Sequence, residues 1–370
     1  MTETQNEWPA IRIFHLAGGA RAINEKNGKV KFFPEIEGRQ SIKMEIGTYA
    51  EVYKKLESLG LKIYGVDFYY HVIHMSGGAP AEWRPYNRST EGGWLIELTV
   101  QTWRDIAHAA FKKQDGFLWD MSSRIAYQLR TAAWRLREIS EAYHNQVNGI
   151  IQRSAFKDGN QIMDGFTEFV NMALQGFLVD ICILRDYLAE FIAIVFKVND
   201  SGKNRITMMS QLIEPLKKFS VSEPVIQQLK EATGTGGWIK VMSSYRNLIV
   251  HSAPLAIAQE KVLAKCTELK IEGKESIPSV LYFLPKDPEI ICKSRSQGSH
   301  FIDFSNMIEK FAPSGEEQKP TLDGMDYAHS VLEKMGKLAR DLARKSPITA
   351  EPMVFDKSNI IGKIKFNKTV

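Results

Sequence analysis

The chain has 370 residues, 44% of them hydrophobic and 25% charged, with a net charge of +5 and a pI near 8.8. That length can bury a large core, and the balance is that of a globular protein rather than a disordered or fibrous one. The charge permits an anionic partner without identifying one. Cys182, Cys266 and Cys292 are scattered and odd in number, with no Cys-x-x-Cys or Cys/His zinc spacing. That argues against a disulfide framework and for a reducing, cytoplasmic setting. The start, MTETQNEWPA, lacks the basic and apolar regions of a signal peptide. The most apolar segment is interrupted by Asp180, Arg185, Asp186 and Glu190, which predicts a buried helix and no membrane span.

Residues 1–100 read as a small α+β portion. Ile11–Leu16, Val30–Phe33, Ile63–Val66 and Trp94–Val100 are short apolar runs of strand character, and Thr48–Leu59 predicts a helix stopped by Gly60. Gly18-Gly19 and Gly77-Gly78 lack the Gly-Lys-Ser/Thr or GxGxxG context of phosphate loops and read as turns. The aromatic and β-branched neighbours of His71 and His74 favour a strand, which would point the two imidazoles to opposite faces. Trp83–Arg88 mixes aromatics with arginines, as single-stranded nucleic-acid surfaces do; a loop packing its aromatics inward is the plainer alternative.

From residue 101 the pattern turns helical, and residues 101–345 read as one bundle. Trp103, Ile106, Ala107 and Ala110 mark a short helix, Phe117–Ile151 a long one and Ile162–Val198 another, with Lys157–Asn160 as the turn between. Arg124, Arg130, Arg135 and Arg137 lie off the apolar stripe of the second. They form either a solvated basic face or a track for an RNA backbone. Ile206–Phe219 and a segment opened by Ser222-Glu223-Pro224 follow. Val280–Leu284, Ile290–Lys293 and Phe301–Phe304 suggest a β-hairpin insertion, with Ser294–His300 as a polar loop. Leu322–Lys345 closes the bundle, and residues 346–370 form a peripheral tail.

The most informative stretch is Trp238–Leu255, WIKVMSSYRNLIVHSAPL. Val241, Met242, Tyr245, Leu248 and Ile249 recur at helical spacing between Gly236-Gly237 and Pro254. Arg246, Asn247 and His251 fall outside that stripe. Asn247 and His251 share a helix face, but Arg246 and His251 stand about 140° apart on an ideal helix. Either a second copy of the chain or an irregular helix must bring them together; otherwise they are a surface Arg and a dipole-compensating His at a helix exit.

The order Arg246-Asn247-x-x-x-His251, with apolar helices before it such as Leu178–Phe196, resembles the HEPN domain family over roughly residues 115–345. The resemblance implies a mainly α fold: a helical bundle with the small α+β N-terminal portion and the hairpin inserted before the last helix. It implies a metal-independent endoribonuclease, a toxin or phage-defence effector, acting as a homodimer and restrained by an antitoxin or defence-system partner. Arg246, Asn247 and His251 would be catalytic, with no cofactor and no metal. A polar helper on an earlier helix would be Asp186 or Glu190. The adenylylated subgroup carries a Tyr two residues after the His, where this chain has Ala253, so control by that modification is not implied. The alternative is a non-catalytic nucleotide- or RNA-binding scaffold on the same bundle.

Overall fold

The computed structural model describes residues 10–25, 28–88, 93–198, 205–218, 223–252, 254–255, 264–271, 275–285, 288–296 and 322–352. The expectation of a mainly α chain is corrected: the fold is mixed α/β. Six antiparallel strands form one sheet in the order β4-β3-β2-β1-β5-β6. They are β1 (Ile11–Leu16), β2 (Arg21–Asn24), β3 (Lys29–Phe33), β4 (Lys43–Glu45), β5 (Ile63–Tyr69) and β6 (Glu82–Pro85). A second sheet joins β7 (Gln161–Ile162), β8 (Ala264–Leu269) and β9 (Ile277–Tyr282).

Alternation along the strands explains why the large sheet is covered on both sides. Phe14, Leu16 and Val66 pack on Val52 and Leu56 of α1 (Tyr49–Ser58), whose first turn is capped by the Thr48 hydroxyl. The next residues along the same strands, His15 and Asp67, meet residues of the long helix α3 (Gly116–Gln152). Gly18 and Gly19 make the turn after β1 at φ +64° and +82°. A Cβ at Gly19 would lie 2.7 Å from the Tyr143 backbone, so the glycine serves close packing rather than phosphate binding.

Helices α2 (Leu95–Lys112), α3 (Gly116–Gln152), α4 (Gly165–Val195) and α9 (Gly324–Ala343) form the bundle. The sequence placed α3 to within a residue at each end, and its N-cap is the Asp115 carboxylate accepting from Leu118 N at 2.9 Å. Asp164 and Thr167 form a reciprocal capping box at the start of α4. Trp94–Val100, expected as a strand, is instead the start of α2, whose buried positions Leu95, Ile96, Thr99, Val100 and Trp103 follow a helical period. Residue 100 therefore lies inside a helix, and the sheet's last strand ends at Pro85. His71 caps, and His74 lies within, a 3-10 segment (Val72–Gly77) after β5 rather than continuing the strand, their rings 6.1 Å apart.

The hairpin after the motif is β8–β9, with Ala264 opposite Tyr282. Ile290–Lys293, expected as a strand, is helical within α8 (Pro288–Ser296); Phe301–Phe304 lies outside the described residues. Leu269, Ile271 and Ile277 of the hairpin region join the core of the N-terminal sheet. Sheet and bundle are thus knitted from both ends of the chain. Short helices α5 (Met209–Lys218), α6 (Pro224–Thr233) and α7 (Trp238–Asn247) complete the bundle.

Candidate active site

Helix α7 buries Ile239, Met242 and Tyr245, and the following turn buries Leu248; Val241 and Ile249 pack partly against the same core. Met242, Tyr245 and Leu248 of the expected stripe are buried, Val241 and Ile249 only partly, and Ile239 joins them. Tyr245 fixes the helix further: its hydroxyl donates to Pro285 O at 2.5 Å, and its ring stands edge-on to Tyr327 at 5.1 Å. On another side, Arg185 Nη1 of α4 donates to Ser243 Oγ at 2.6 Å.

The helix does not run straight through the motif. After Asn247 the backbone widens into a π-helical turn, Leu248–Ser252. A π-turn holds about one more residue than an α-turn, so positions five apart come onto one line. Arg246 Nη1 stands 3.2 Å from His251 Nε2 and donates to Asn247 Oδ1 at 3.3 Å. A guanidinium only donates, so the imidazole nitrogen facing it presents its lone pair. The three motif residues therefore converge within a single chain. Asn247 and His251 are exposed and Arg246 is half-buried, so the group faces open solvent.

The two carboxylates considered as helpers are occupied elsewhere. Asp186 takes Arg185 Nε at 2.9 Å and accepts from Met209 N at 2.9 Å, holding the start of α5. Glu190 is buried between Arg124, at 3.2 Å, and Arg205. The α4 residue that does reach the motif helix is Arg185, which sequence reading passed over as an interruption of an apolar stripe. The charges of Arg185, Asp186 and Arg246 all act on the Cys182 thiol, which burial pushes up to about 11. All three charges therefore gather around the same stretch of α4.

The arginines of α3 are brought mostly to carboxylates rather than left for phosphates. Arg124 pairs with Asp120 and Glu190, Arg135 with Glu138 and Asp180, and Arg137 with Asp67 and Glu141. Arg130 is exposed and lies near the half-buried Glu97, whose carboxyl burial raises.

A second polar cluster lies between the sheet and α3. His15 Nδ1 is 2.8 Å from Ser140 Oγ and Nε2 is 3.2 Å from Asp67 Oδ2, while Arg137 grips both Asp67 oxygens at 2.8 Å. Among the described residues, His15, Asp67 and Glu141 are the one group with metal-ligating proximity, their ligand atoms within 4.8 Å. Yet Arg21 and Arg137 already neutralise the two carboxylates. His15, Ser140 and Asp67 are all 0% exposed, so the Ser-His-Asp grouping has no route to a substrate. Burial, then the Arg21 charge, pulls His15 down to about 4. Asp67 is held at about 2, His15 and Arg137 outweighing its desolvation. This is an internal tie between sheet and bundle, invisible in sequence because its members are up to 126 residues apart.

A cleft of about 430 Å³ opens between α1, β5 and α9, lined by Glu57, Lys62, Tyr86, Arg88, His329 and Glu333 among others. Its charges are paired locally, Lys62 with Asp326 and Arg88 with Glu57, and it contains no residue of the motif. The exposed Arg246–His251 pair carries the more specific chemistry. No family model, curated protein or solved structure matches this chain.

Proposed function

We propose that Arg246, Asn247 and His251 form the active site of a metal-independent endoribonuclease that cleaves RNA through its own 2′-OH. The 3.2 Å approach of Arg246 to His251, created by the π-turn, is the observation that carries this reading. When the substrate phosphate draws the Arg246 guanidinium away from His251, the freed Nε2 lone pair takes the 2′-OH proton, and O2′ attacks the adjacent phosphorus. The P–O5′ bond breaks and O5′ takes a proton from solvent water at the open site, leaving a 2′,3′-cyclic phosphate and a 5′-OH, and His251 afterwards returns its proton to solvent. Arg246 stabilises the charge that builds on the phosphorane-like transition state. Asn247 holds Arg246 in place through its side-chain oxygen.

An open surface site suits a polymer such as RNA better than a small molecule. As a cytoplasmic toxin or defence effector, such an enzyme would be held in check by an antitoxin-type partner. A homodimer is no longer needed to assemble the site. The second reading is a non-catalytic nucleotide- or RNA-binding scaffold, favoured by the exposure of Asn247 and His251 among the described residues. The decisive experiment incubates wild type and His251→Ala with RNA, and with DNA of the same sequence, in excess EDTA, then analyses the ends. Cleavage of RNA alone, lost in His251→Ala, supports the ribonuclease; RNA binding without cleavage supports the scaffold. Cleavage of DNA, or activity abolished by EDTA, overturns the mechanism.

A further inference from the structure

The cleft between α1, β5 and α9 contains a hydrogen-bonding atom that the fold leaves unsatisfied. His329 of α9 is only 6% exposed, and its Nε2 lies 2.8 Å from Tyr86 O. A carbonyl only accepts, so Nε2 carries the hydrogen and Nδ1 presents a lone pair. Burial holds the imidazole below its usual pKa, which keeps it in this neutral form. Nδ1 has no partner among the described residues, yet it is not sealed from solvent, and the ring lines the cleft. The lone pair therefore opens on the cleft, where only a ligand or water can supply its donor.

The charges around it are already balanced. Glu57 accepts from the Tyr86 hydroxyl at 2.9 Å and faces Arg88 at 3.4 Å. Lys62 is matched by Asp326, and Glu333 by Lys337 at 2.7 Å. Three carboxylates thus meet three cations, and an ionic ligand finds no net charge to attract it. A hydroxyl suits such a wall better. It donates to a spare carboxylate lone pair and accepts from a spare N–H of Arg88 or Lys62 while each ion pair stays intact. Ser330, beside His329, adds a group that can do both.

We propose that this cleft binds a neutral polyhydroxylated ring, a mono- or disaccharide, with one of its hydroxyls donating to His329 Nδ1. The volume, about 430 Å³, lies within the range of small-molecule sites, roughly 300–1,000 Å³. Leu61 and Ile63 supply apolar wall for the C–H face of the ring. Tyr86 joins the two sides of the cleft before any ligand arrives, its hydroxyl on Glu57 of α1 and its carbonyl on His329 of α9, so little ordering remains to be done on binding. The site shares no residue with the Arg246–His251 motif and does not depend on its chemistry.

Saturation-transfer NMR on the full chain tests the assignment, with glucose, galactose, mannose, ribose and maltose as probes and with glycine and inorganic phosphate as charged competitors. At least one of the sugars should receive saturation and resist displacement by either competitor. Ser330→Trp, which fills the cleft from a half-buried position on α9, should abolish the transfer. His329→Gln keeps an N–H for Tyr86 O but removes the lone pair at Nδ1, and should weaken binding by about tenfold, the loss of one hydrogen bond. That variant decides the matter alone if Ser330→Trp lowers the melting temperature. Saturation of none of the five sugars would overturn the proposal, and so would binding indifferent to His329→Gln. Displacement by glycine or phosphate would overturn it too, by showing that the cleft reads charge rather than hydroxyls.

Discussion

Arg246 and His251 meet at 3.2 Å although they stand five positions apart, because the backbone between them leaves the α-helical path for a π-turn. A continuous α-helix would have set them about 140° apart. The contact makes the turn's register a testable part of the site. Inserting one Ala between Ile249 and Val250 should swing the imidazole of His251 to the far side and abolish RNA cleavage. Deleting Val250 should restore an α-helical spacing of four, keep the pair on one face and retain part of the activity. Equal loss from both changes would show that the π-turn matters for more than this alignment.

The side chains themselves should be dispensable for folding. Arg246→Ala and His251→Ala should each reduce cleavage by about 10²-fold or more. Neither lies in the buried stripe of Met242, Tyr245 and Leu248, so neither opens a core cavity. Asn247→Ala, which loses only a hydrogen bond to Arg246, should be milder. Melting curves alongside the cleavage assay check this: a large drop in melting temperature would make the motif a structural lock.

How much of this was legible in the sequence depended on the range of the interaction. The α3 boundaries and much of the buried side of α7 could be read, because periodicity and caps are local, whereas α4, expected over Ile162–Val198, is shorter at both ends and Ile162 belongs to β7. Arg21–Asn24 and Lys43–Glu45 could not be recognised as strands; each is short, polar and stabilised only by its neighbours in the sheet. Trp94–Val100 misled because its β-branched and aromatic residues suit a strand, while the helical period that won becomes clear only when Trp103 and Ile106 are included. The motif's residues were visible, but whether an irregular helix or a second copy of the chain joined them was not, since nothing in Leu248–Ser252 announces a π-turn. Arg185 was hidden for the opposite reason: its partner, Ser243, is 58 residues away.

The same long-range logic predicts where the fold is fragile. Asp67 is 0% exposed and depends on the paired bonds of Arg137. Arg137→Met fills the space but leaves that carboxylate buried without its main partner, which should cost about 3–5 kcal/mol in urea unfolding. The double variant Arg137→Met/Asp67→Asn should recover part of the loss. If the single variant is as stable as wild type, the ion pair is not what ties sheet to bundle.

Acid should weaken the protein between about pH 6.5 and pH 4. Burial, with the Arg21 charge behind it, pulls both His15 and His144 from 6.5 down to about 4. In that interval the unfolded chain binds protons at both imidazoles that the folded chain excludes, so stability falls as pH falls. Asp323 acts in the opposite sense. Burial raises its carboxyl from 3.8 to about 6, so the folded state takes up that proton first and gains stability on acidification. Two imidazoles against one carboxyl leave the balance with the histidines, and His329, also lowered by burial, adds to their side. Melting temperatures measured from pH 7.5 to pH 4 should therefore decline steadily. Asp323→Asn should steepen the decline by removing the opposing group, and His144→Gln should flatten it. A melting temperature that holds or rises on acidification would show that these imidazoles do not stay neutral inside the fold.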